Sequence, residues 1–184
     1  MKQLRILLFF TLSSSLFIPL NCGAQFTKLL NFNNTNGSWP YGGLTCSGNT
    51  LYGMTLFGGL HGAGRVFSID TNGSNYKDLL DFDTANGANP VGDLTLSGNT
   101  LYGMTTAGGF YGKGCVFSIT TAGAAYKDLL DFKGSNGNEP LGSLLLAGNV
   151  LYGMTFYGGA YDSGCVFSLI PMVRDIMTCW TLAI

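Results

Sequence analysis

Charged residues are scarce in this chain. They make up 10% of its 184 residues, against about 25% in an average soluble protein. The net charge is −1, and it becomes −3 without Lys2 and Arg5. Because nucleic acids and anionic membranes are bound through clustered basic side chains, this balance argues against either partner.

Histidine is nearly absent, since His61 is the single one in the sequence, and the five cysteines have no metal-ligand spacing. Zinc needs several such ligands grouped together, so we expect no metal and no cofactor. Cys115 and Cys165 hold equivalent positions on neighbouring units. Such positions usually lie too far apart in space for a disulfide, whose Cα atoms are within about 7 Å of each other. We therefore expect Cys46, Cys115, Cys165 and Cys179 to be free and mostly buried thiols.

Helical periodicity is also missing, because no long stretch repeats its apolar residues every three or four positions. Glycine is abundant, with 28 residues, and apolar residues make up 46%, which excludes a disordered chain. What the sequence does have is a repeat: Leu-Tyr-Gly-Met-Thr occurs at 51–55, 101–105 and 151–155. This fixed period of 50 residues indicates units that bury their apolar faces against their neighbours.

Each unit contains four short apolar runs separated by turn signals. In the second unit, alternating residues surround Gly98-Asn99, as in a β-hairpin, and glycine-rich or proline-containing loops separate the other runs. The predicted strands are Gly92–Leu96, Thr100–Thr105, Cys115–Thr120 and Tyr126–Phe132.

Four antiparallel strands in each 50-residue unit predict an all-β, β-propeller-like fold over residues 26–169, with a β-solenoid as the alternative. The segment Phe26–Phe32 matches the fourth strand, Tyr76–Phe82, but no first three strands precede it. Propellers have four to eight blades, so three units predict an incomplete, truncated array.

The first 25 residues have the order of a secretory signal peptide. Basic Lys2 and Arg5 precede an apolar run, and small residues follow at 22–24. A membrane anchor needs about 20 apolar residues, and this run is short and contains Pro19. A lipoprotein signal at Cys22 is the other alternative. We expect cleavage next to Ala24, secretion to the cell surface or beyond, and no membrane span afterwards.

The motif Leu-Tyr-Gly-Met-Thr, then Gly-Gly, then Gly-x-Gly-x-Val-Phe-Ser, resembles the GloVer tandem repeat of secreted bacterial proteins. The resemblance covers Phe26 to about Leu169. It implies a secreted, propeller-like array, often with more repeats and a C-terminal surface-anchoring or sorting domain that is not recognisable here. It implies no established activity and no catalytic residues.

Residues that recur in every unit are interpreted as structural. The glycines at 53, 58–59 and 64 and their equivalents precede a strand without a following Lys-Ser/Thr, which favours turn geometry over phosphate binding. The repeated tyrosines and threonines of Leu-Tyr-Gly-Met-Thr favour packing and hydroxyl bonding. Paired aspartates such as Asp78 and Asp81 permit glycoside hydrolysis, and Asp70, Asp81 and Asp83 permit calcium binding, but strand-end aspartates are more often turn partners.

Function is expected where the units differ, on the loop that follows Leu-Tyr-Gly-Met-Thr. Its aromatic and polar residues suit stacking on sugars or contact with a cell-surface protein, with packing between units as the alternative. We expect a binding or scaffolding protein rather than an enzyme, although a secreted carbohydrate-active enzyme and a non-functional fragment remain alternatives. No catalytic residue is assigned, and the candidate ligand-binding residues are Phe57, His61, Phe110, Tyr111, Tyr157 and Tyr161.

Residues 170–184 abandon the repeat, either as a capping segment or because the reading frame shifts. Met and Trp have single codons, so some shifted codons are fixed. The junctions Met172-Val173 and Met177-Thr178 yield Gly and Asp, and those around Trp180 yield Leu and Asp. All four match the repeat at 73, 78, 80 and 81.

We therefore predict that residues 170–184 are repeat sequence read in the wrong frame. Sequencing the gene beyond codon 170 checks this, since the shifted frame should encode further 50-residue units. A gene without such units would contradict the frame shift and leave the capping segment.

Overall fold

The computed structural model describes residues 24–171, which form three antiparallel β-sheets and contain no helix. Each sheet follows the chain order of its strands, so neighbours in sequence are neighbours in the sheet. The strands are β1 (Thr45–Ser47), β2 (Thr50–Thr55), β3 (Arg65–Asp70) and β4 (Lys77–Asp81) in unit 1; β5 (Thr95–Ser97), β6 (Thr100–Thr105), β7 (Cys115–Thr120) and β8 (Lys127–Asp131) in unit 2; and β9 (Leu145–Ala147), β10 (Val150–Thr155) and β11 (Cys165–Leu169) in unit 3.

The predicted all-β, propeller-like fold is confirmed as an incomplete array, because the described residues form three sheets and a closed propeller has four to eight. Strands β6 and β7 have the predicted bounds. Strand β5 is shorter than predicted because Gly92 and Asp93 contact the next unit instead of their own hairpin. The Asp93 amide donates to Ser143 Oγ at 2.8 Å.

The middle glycine of Leu-Tyr-Gly-Met-Thr makes room for an aromatic ring. Gly103 lies opposite Phe117 in the β6–β7 pair, and a Cβ at Gly103 would stand 2.6 Å from Cζ of that ring. The backbone of Gly103 has no positive φ. Its interpretation as a turn glycine is therefore wrong, because the constraint is space within a strand. Gly58 and Gly59, with φ of 81° and 82°, are turn glycines as predicted.

Phenylalanine rings join each unit to the next. Phe82, at the end of β4, packs edge-on against Phe117 of unit 2 with ring centroids 5.2 Å apart. The same contact recurs at 5.3 Å between Phe132 and Phe167. Phe82, Phe117 and Phe132 are fully buried, so the core lies between the sheets as much as within them.

The segment Phe26–Phe32, predicted to match a fourth strand, forms no strand in this structure. Its last ring nevertheless packs on Phe67 with centroids 5.3 Å apart, as Phe82 does on Phe117. The difference has a simple cause: β4 and β8 form by pairing with β3 and β7, whereas no described strand precedes this segment.

We predict that Gly103→Ala lowers the free energy of unfolding by about 1–3 kcal/mol, because the added methyl group displaces the ring of Phe117. Urea unfolding measures the change. Ser97→Ala, at an exposed position of β5, serves as the control and should stay within about 0.5 kcal/mol of wild type. Equal stability of the two variants would contradict the packing role of Gly103.

Candidate functional site

The six candidate residues lie on the loops between the second and third strands of the units, at residues 56–64, 106–114 and 156–164. These loops leave their sheets at equivalent positions, so they lie at the same end of each sheet. All six candidates are exposed, with Phe110 at 81% and Tyr161 at 92%. The alternative that these rings pack between units does not fit such exposure.

Recurring threonine and aspartate side chains hold these loops in place. Buried Thr105 Oγ1 donates to the Ala107 carbonyl at 3.0 Å and accepts from the Cys115 amide at 3.2 Å, which joins the two ends of the loop. The Phe110 amide donates to Asp131 Oδ1 at 2.7 Å. The structural interpretation of these repeated residues therefore fits the contacts they make.

The structure brings some of the candidate rings together and separates others. Phe110 and Tyr111 contact edge to face, with centroids 4.9 Å apart. Tyr157 pairs with Phe156 in the same way at 4.5 Å, and Phe57 packs on Trp39 at 5.6 Å. Each pair belongs to its own unit, so the three loops present three separate aromatic patches.

The loop of unit 1 borders a cleft of about 690 Å³. Its lining includes Phe57 and Leu60 together with Arg65, Asp78 and Asp81. The rest of the lining consists of three loop glycines and of Asn34, Thr35 and Ser38. Of the six candidates, Phe57 is the one that lines this cleft.

The charged wall of the cleft is built by pairing of β3 with β4. That pairing sets Arg65 opposite Asp81, and a bulge after Val66 brings Asp78 to the same side. The Arg65 side chain is 4% exposed, and its guanidinium contacts Asp78 through Nη1 and Asp81 through Nη2, the latter at 2.6 Å. Arg65 Nε is buried without a hydrogen-bond partner among the described residues.

The surroundings of Arg65 keep it charged. Burial alone would lower its pKa, but hydrogen bonds with Tyr76 and Asp81 and the charges of Asp78 and Asp81 outweigh burial and raise the pKa. Burial also raises the pKa of Tyr76 to about 12, so its hydroxyl stays neutral. That hydroxyl lies 2.8 Å from the Asn36 carbonyl and 2.7 Å from Asp78 Oδ1.

Unit 2 has a different cluster at the equivalent position. Cys115 replaces the arginine, and burial raises the pKa of its thiol to about 12, so it is not a reactive thiolate. Partial burial of the Asp128 carboxyl group and the nearby charge of Asp131 raise the pKa of Asp128 to about 6. Two carboxylates without a cation between them share a proton more readily than the pair beside Arg65.

The cysteines are free, as expected, but only Cys115 is fully buried; Cys46 is exposed and Cys165 is half-buried. Cys179 lies outside the described residues. No group of three or more His, Cys, Asp or Glu within residues 24–171 is arranged to hold a metal ion. Among the calcium candidates, Asp81 contacts Arg65 and Asp83 accepts from the Asn86 amide at 2.9 Å.

Sequence reasoning missed Trp39 and the Arg65 cluster. Trp39 lies before the first strand, outside the variable loop, yet its exposed ring packs on Phe57. Arg65 was visible as the odd residue at a position that holds cysteine in the other units. Its contacts with residues 13 and 16 positions later depend on the strand pairing and the bulge.

The family resemblance is confirmed: the profile of the Gloeobacter/Verrucomicrobia repeat matches residues 12–181. The chain belongs to the Gloeobacter/Verrucomicrobia repeat family. No curated protein sequence matches it. No helix within residues 24–171 is long and apolar enough to cross a membrane.

Two solved structures resemble this Gloeobacter/Verrucomicrobia repeat protein. A chain in the crystal structure of a nidogen/laminin complex shares 18% identity over 67% of this chain and 40% of its own length, with a TM-score of 0.47. The tricorn protease shares 12% identity over 73% of this chain and 13% of its own length, with a TM-score of 0.40. The repeat protein thus spans less than half the length of either chain.

We predict that the protein loses stability as the pH rises from about 4 to about 6. The pKa of Asp128 is raised from 3.8 to about 6 on folding, so the folded protein binds this proton more tightly than the unfolded chain does. The contribution of Asp128 is therefore complete below about pH 4 and lost above about pH 6.

Urea unfolding at several pH values measures this loss of stability. Asp128→Asn should remove it, and Asp131→Asn should reduce it by removing the neighbouring charge. An unchanged pH profile in Asp128→Asn would show that other groups cause the dependence.

Proposed function

We propose that this protein is a binding protein that acts outside the cell and that the cleft of unit 1 receives carbohydrate. The observation that supports this most is the composition of that cleft, which has a volume of about 690 Å³ and is lined by an exposed ring, Phe57, and by two aspartates. The volume falls within the range of about 300–1,000 Å³ that small-ligand sites occupy.

The chemistry of the residues that line the cleft suits a sugar ring. The apolar face of a sugar packs on an aromatic side chain, while its hydroxyl groups need hydrogen-bond acceptors at the edge. Carboxylates accept such bonds, and Asp78 and Asp81 retain unused lone pairs beyond those that face Arg65. Because the guanidinium balances one of their two charges, the wall is polar without strongly repelling neutral ligands.

The loop that forms the cleft is already held in its binding geometry. The Gly59 amide donates to the Asn34 carbonyl at 2.9 Å, the Gly64 amide donates to the Gly58 carbonyl at 3.1 Å, and the Leu60 amide donates to Asp81 Oδ1 at 3.1 Å. A loop fixed in this way loses little conformational entropy when a ligand binds. The same bonds suit a scaffold that presents rings to a cell-surface protein.

The proposal of an extracellular site rests on the sequence of residues 1–25, whose basic, apolar and small-residue segments are typical of a secretory signal. Residues 1–23 lie outside the described residues. Glycans and glycoproteins are abundant outside cells, so the location and the cleft chemistry favour the same class of ligand.

Hydrolysis of a glycan is the second candidate, because Asp78 and Asp81 do line one cleft. A glycoside hydrolase needs one carboxylic acid that gives a proton and one carboxylate that acts as base or nucleophile. In unit 1 both carboxyl groups contact the same guanidinium, which is the arrangement of an ion pair rather than of a proton donor facing a base. Binding is therefore the better-supported function.

We predict that Phe57→Ala weakens binding to the oligosaccharides recognised on a glycan array by about tenfold, which corresponds to 1.4 kcal/mol, because the sugar loses its stacking partner. Titration calorimetry with the strongest glycan measures the affinity. Phe26→Ala, which removes an exposed ring outside the loops, is the matched control and should bind like wild type.

A double variant tests whether the other loops contribute. Phe110→Ala with Tyr111→Ala removes the exposed pair of unit 2 without touching the core, so it should fold normally, as circular dichroism can verify. If this variant abolishes binding while Phe57→Ala does not, the ligand site is on unit 2 and the cleft proposal is wrong. Release of reducing sugar by wild type would instead establish hydrolysis.

A further inference from the structure

The two ends of the array expose apolar positions that the internal junctions bury. Pro90 and Pro140 are fully buried, whereas Pro40 is exposed. Leu94 and Leu144 are also buried, but the equivalent Leu44 is 57% exposed. We call the surface formed by Pro40, Gly42 and Leu44 the leading face of unit 1.

The opposite end shows the complementary pattern. Val66 and Val116 are fully buried, but Val166 of unit 3 is 76% exposed. Met54 and Met104 are buried as well, whereas Met154 is 61% exposed. We call the surface formed by Gly142, Met154, Gly164 and Val166 the trailing face of unit 3. Exposed methionine and valine at positions buried twice elsewhere indicate a surface that lacks its partner.

The internal junctions show what that partner looks like, because both are built from the same contacts. The Asn89 amide donates to the Ala63 carbonyl at 2.8 Å, and 50 residues later the Glu139 amide donates to the Lys113 carbonyl at 3.1 Å. Pro90 lies against Gly64, and Pro140 lies against Gly114. Each unit therefore meets its successor in the same orientation.

The glycines at the centre of the junction leave an empty position on unit 3. A Cβ on Gly42 would overlap the Gly92 carbonyl, and a Cβ on Gly92 would overlap the Gly142 carbonyl. A Cβ on Gly142 meets nothing within 4 Å. The space beside Gly142 is the space that a following unit occupies at the two internal junctions.

From these contacts we propose that two copies of this chain associate head to tail, with the leading face of each packed on the trailing face of the other. A second copy carries the surface that the internal junctions use, including Pro40 and the Gly42 carbonyl. Head-to-tail contacts continue until they close. Two copies supply six sheets, within the four to eight of closed propellers, whereas one copy supplies three.

The N-terminal segment fits the same arrangement. Phe32 already sits on Phe67 as Phe82 sits on Phe117, so residues 26–32 are carried on the leading face. In the dimer they reach the outer edge of the partner's β11, which pairs with no described strand, and add a fourth strand to that sheet. By the register of β3 with β4, Asn31 then lies opposite Cys165, as Asp81 lies opposite Arg65.

Three substitutions make this junction weaker than the internal ones. Thr95 Oγ1 donates to the Leu144 carbonyl at 2.5 Å, but the equivalent residue of unit 3 is Leu145. The Asn89 side chain donates to the Leu56 carbonyl at 3.1 Å, but Trp39 takes its place on the leading face. The Asp93 amide donates to the Ser143 side chain. In the dimer the Ser143 amide would lie against Gly43 of the second copy, which has no side chain to accept a hydrogen bond. The dimer should therefore dissociate on dilution.

The first experiment measures mass against concentration by light scattering coupled to size exclusion. Wild type should reach twice the mass of the chain as the concentration rises. Gly142→Val should raise the dimer dissociation constant at least tenfold, because its side chain occupies the space of the partner's Gly42. Ala147→Val, which introduces the same side chain at an exposed end of β9, should dimerise like wild type. An invariant monomer, or dimerisation unaffected by Gly142→Val, would overturn the proposal.

The second experiment detects the dimer directly, through a disulfide between the two copies, and does not depend on a variant that fails to associate. With Cys22, Cys46 and Cys179 changed to Ser, Asn31→Cys should form a disulfide with Cys165 of the second copy, because opposed residues of this kind lie about 4.5 Å apart at Cα. Denaturing gels without reductant should show a covalent dimer, and Thr27→Cys should not. Head-to-tail pairing would be contradicted by a disulfide within one chain or by a dimer that links Cys165 to Cys165. A protein that stays monomeric on the gel would contradict it as well.

Discussion

The structure depends on one recurring arrangement, in which a phenylalanine ring lies over a glycine of the neighbouring strand and receives the edge of a second ring from the preceding unit. In unit 2 these are Phe117, Gly103 and Phe82. The ring of Phe117 is fully buried only because residues of two units enclose it. A single unit cannot close this core, so folding and the association of units are the same process.

That dependence explains where the chain can vary. The strands and junctions carry the enclosed rings and glycines, and their residues recur every 50 positions. The loops at 56–64, 106–114 and 156–164 are fixed through their backbones, by buried threonines in all three and by strand-end aspartates in the first two. Their outer residues contact solvent and are free to change. In unit 1 one of these variable residues, Phe57, lines the same cleft as Arg65.

Sequence periodicity was sufficient for strands that pair within one unit, which is why the bounds of β6 and β7 were predicted. It failed for residues whose role is set by contacts between units or by the space that a side chain needs. Gly92 and Asp93 pair with the next unit rather than with their own hairpin, and Gly103 is needed for space rather than for its backbone conformation. The cleft was missed because Asp78 meets Arg65 only through the bulge at Leu79 in β4.

Repetition also makes the two ends of the array complementary to each other, because each end carries one half of a junction that the chain forms twice. Such ends favour aggregation, because the sheet edge of one chain can pair with the free segment of another and so add chains without limit. Closure removes both open edges at once. The polar differences at Trp39 and Leu145 remove hydrogen bonds that the internal junctions have. The junctions within one chain are therefore more stable than the junction between two chains. The three units of each chain associate first, and the two chains associate afterwards.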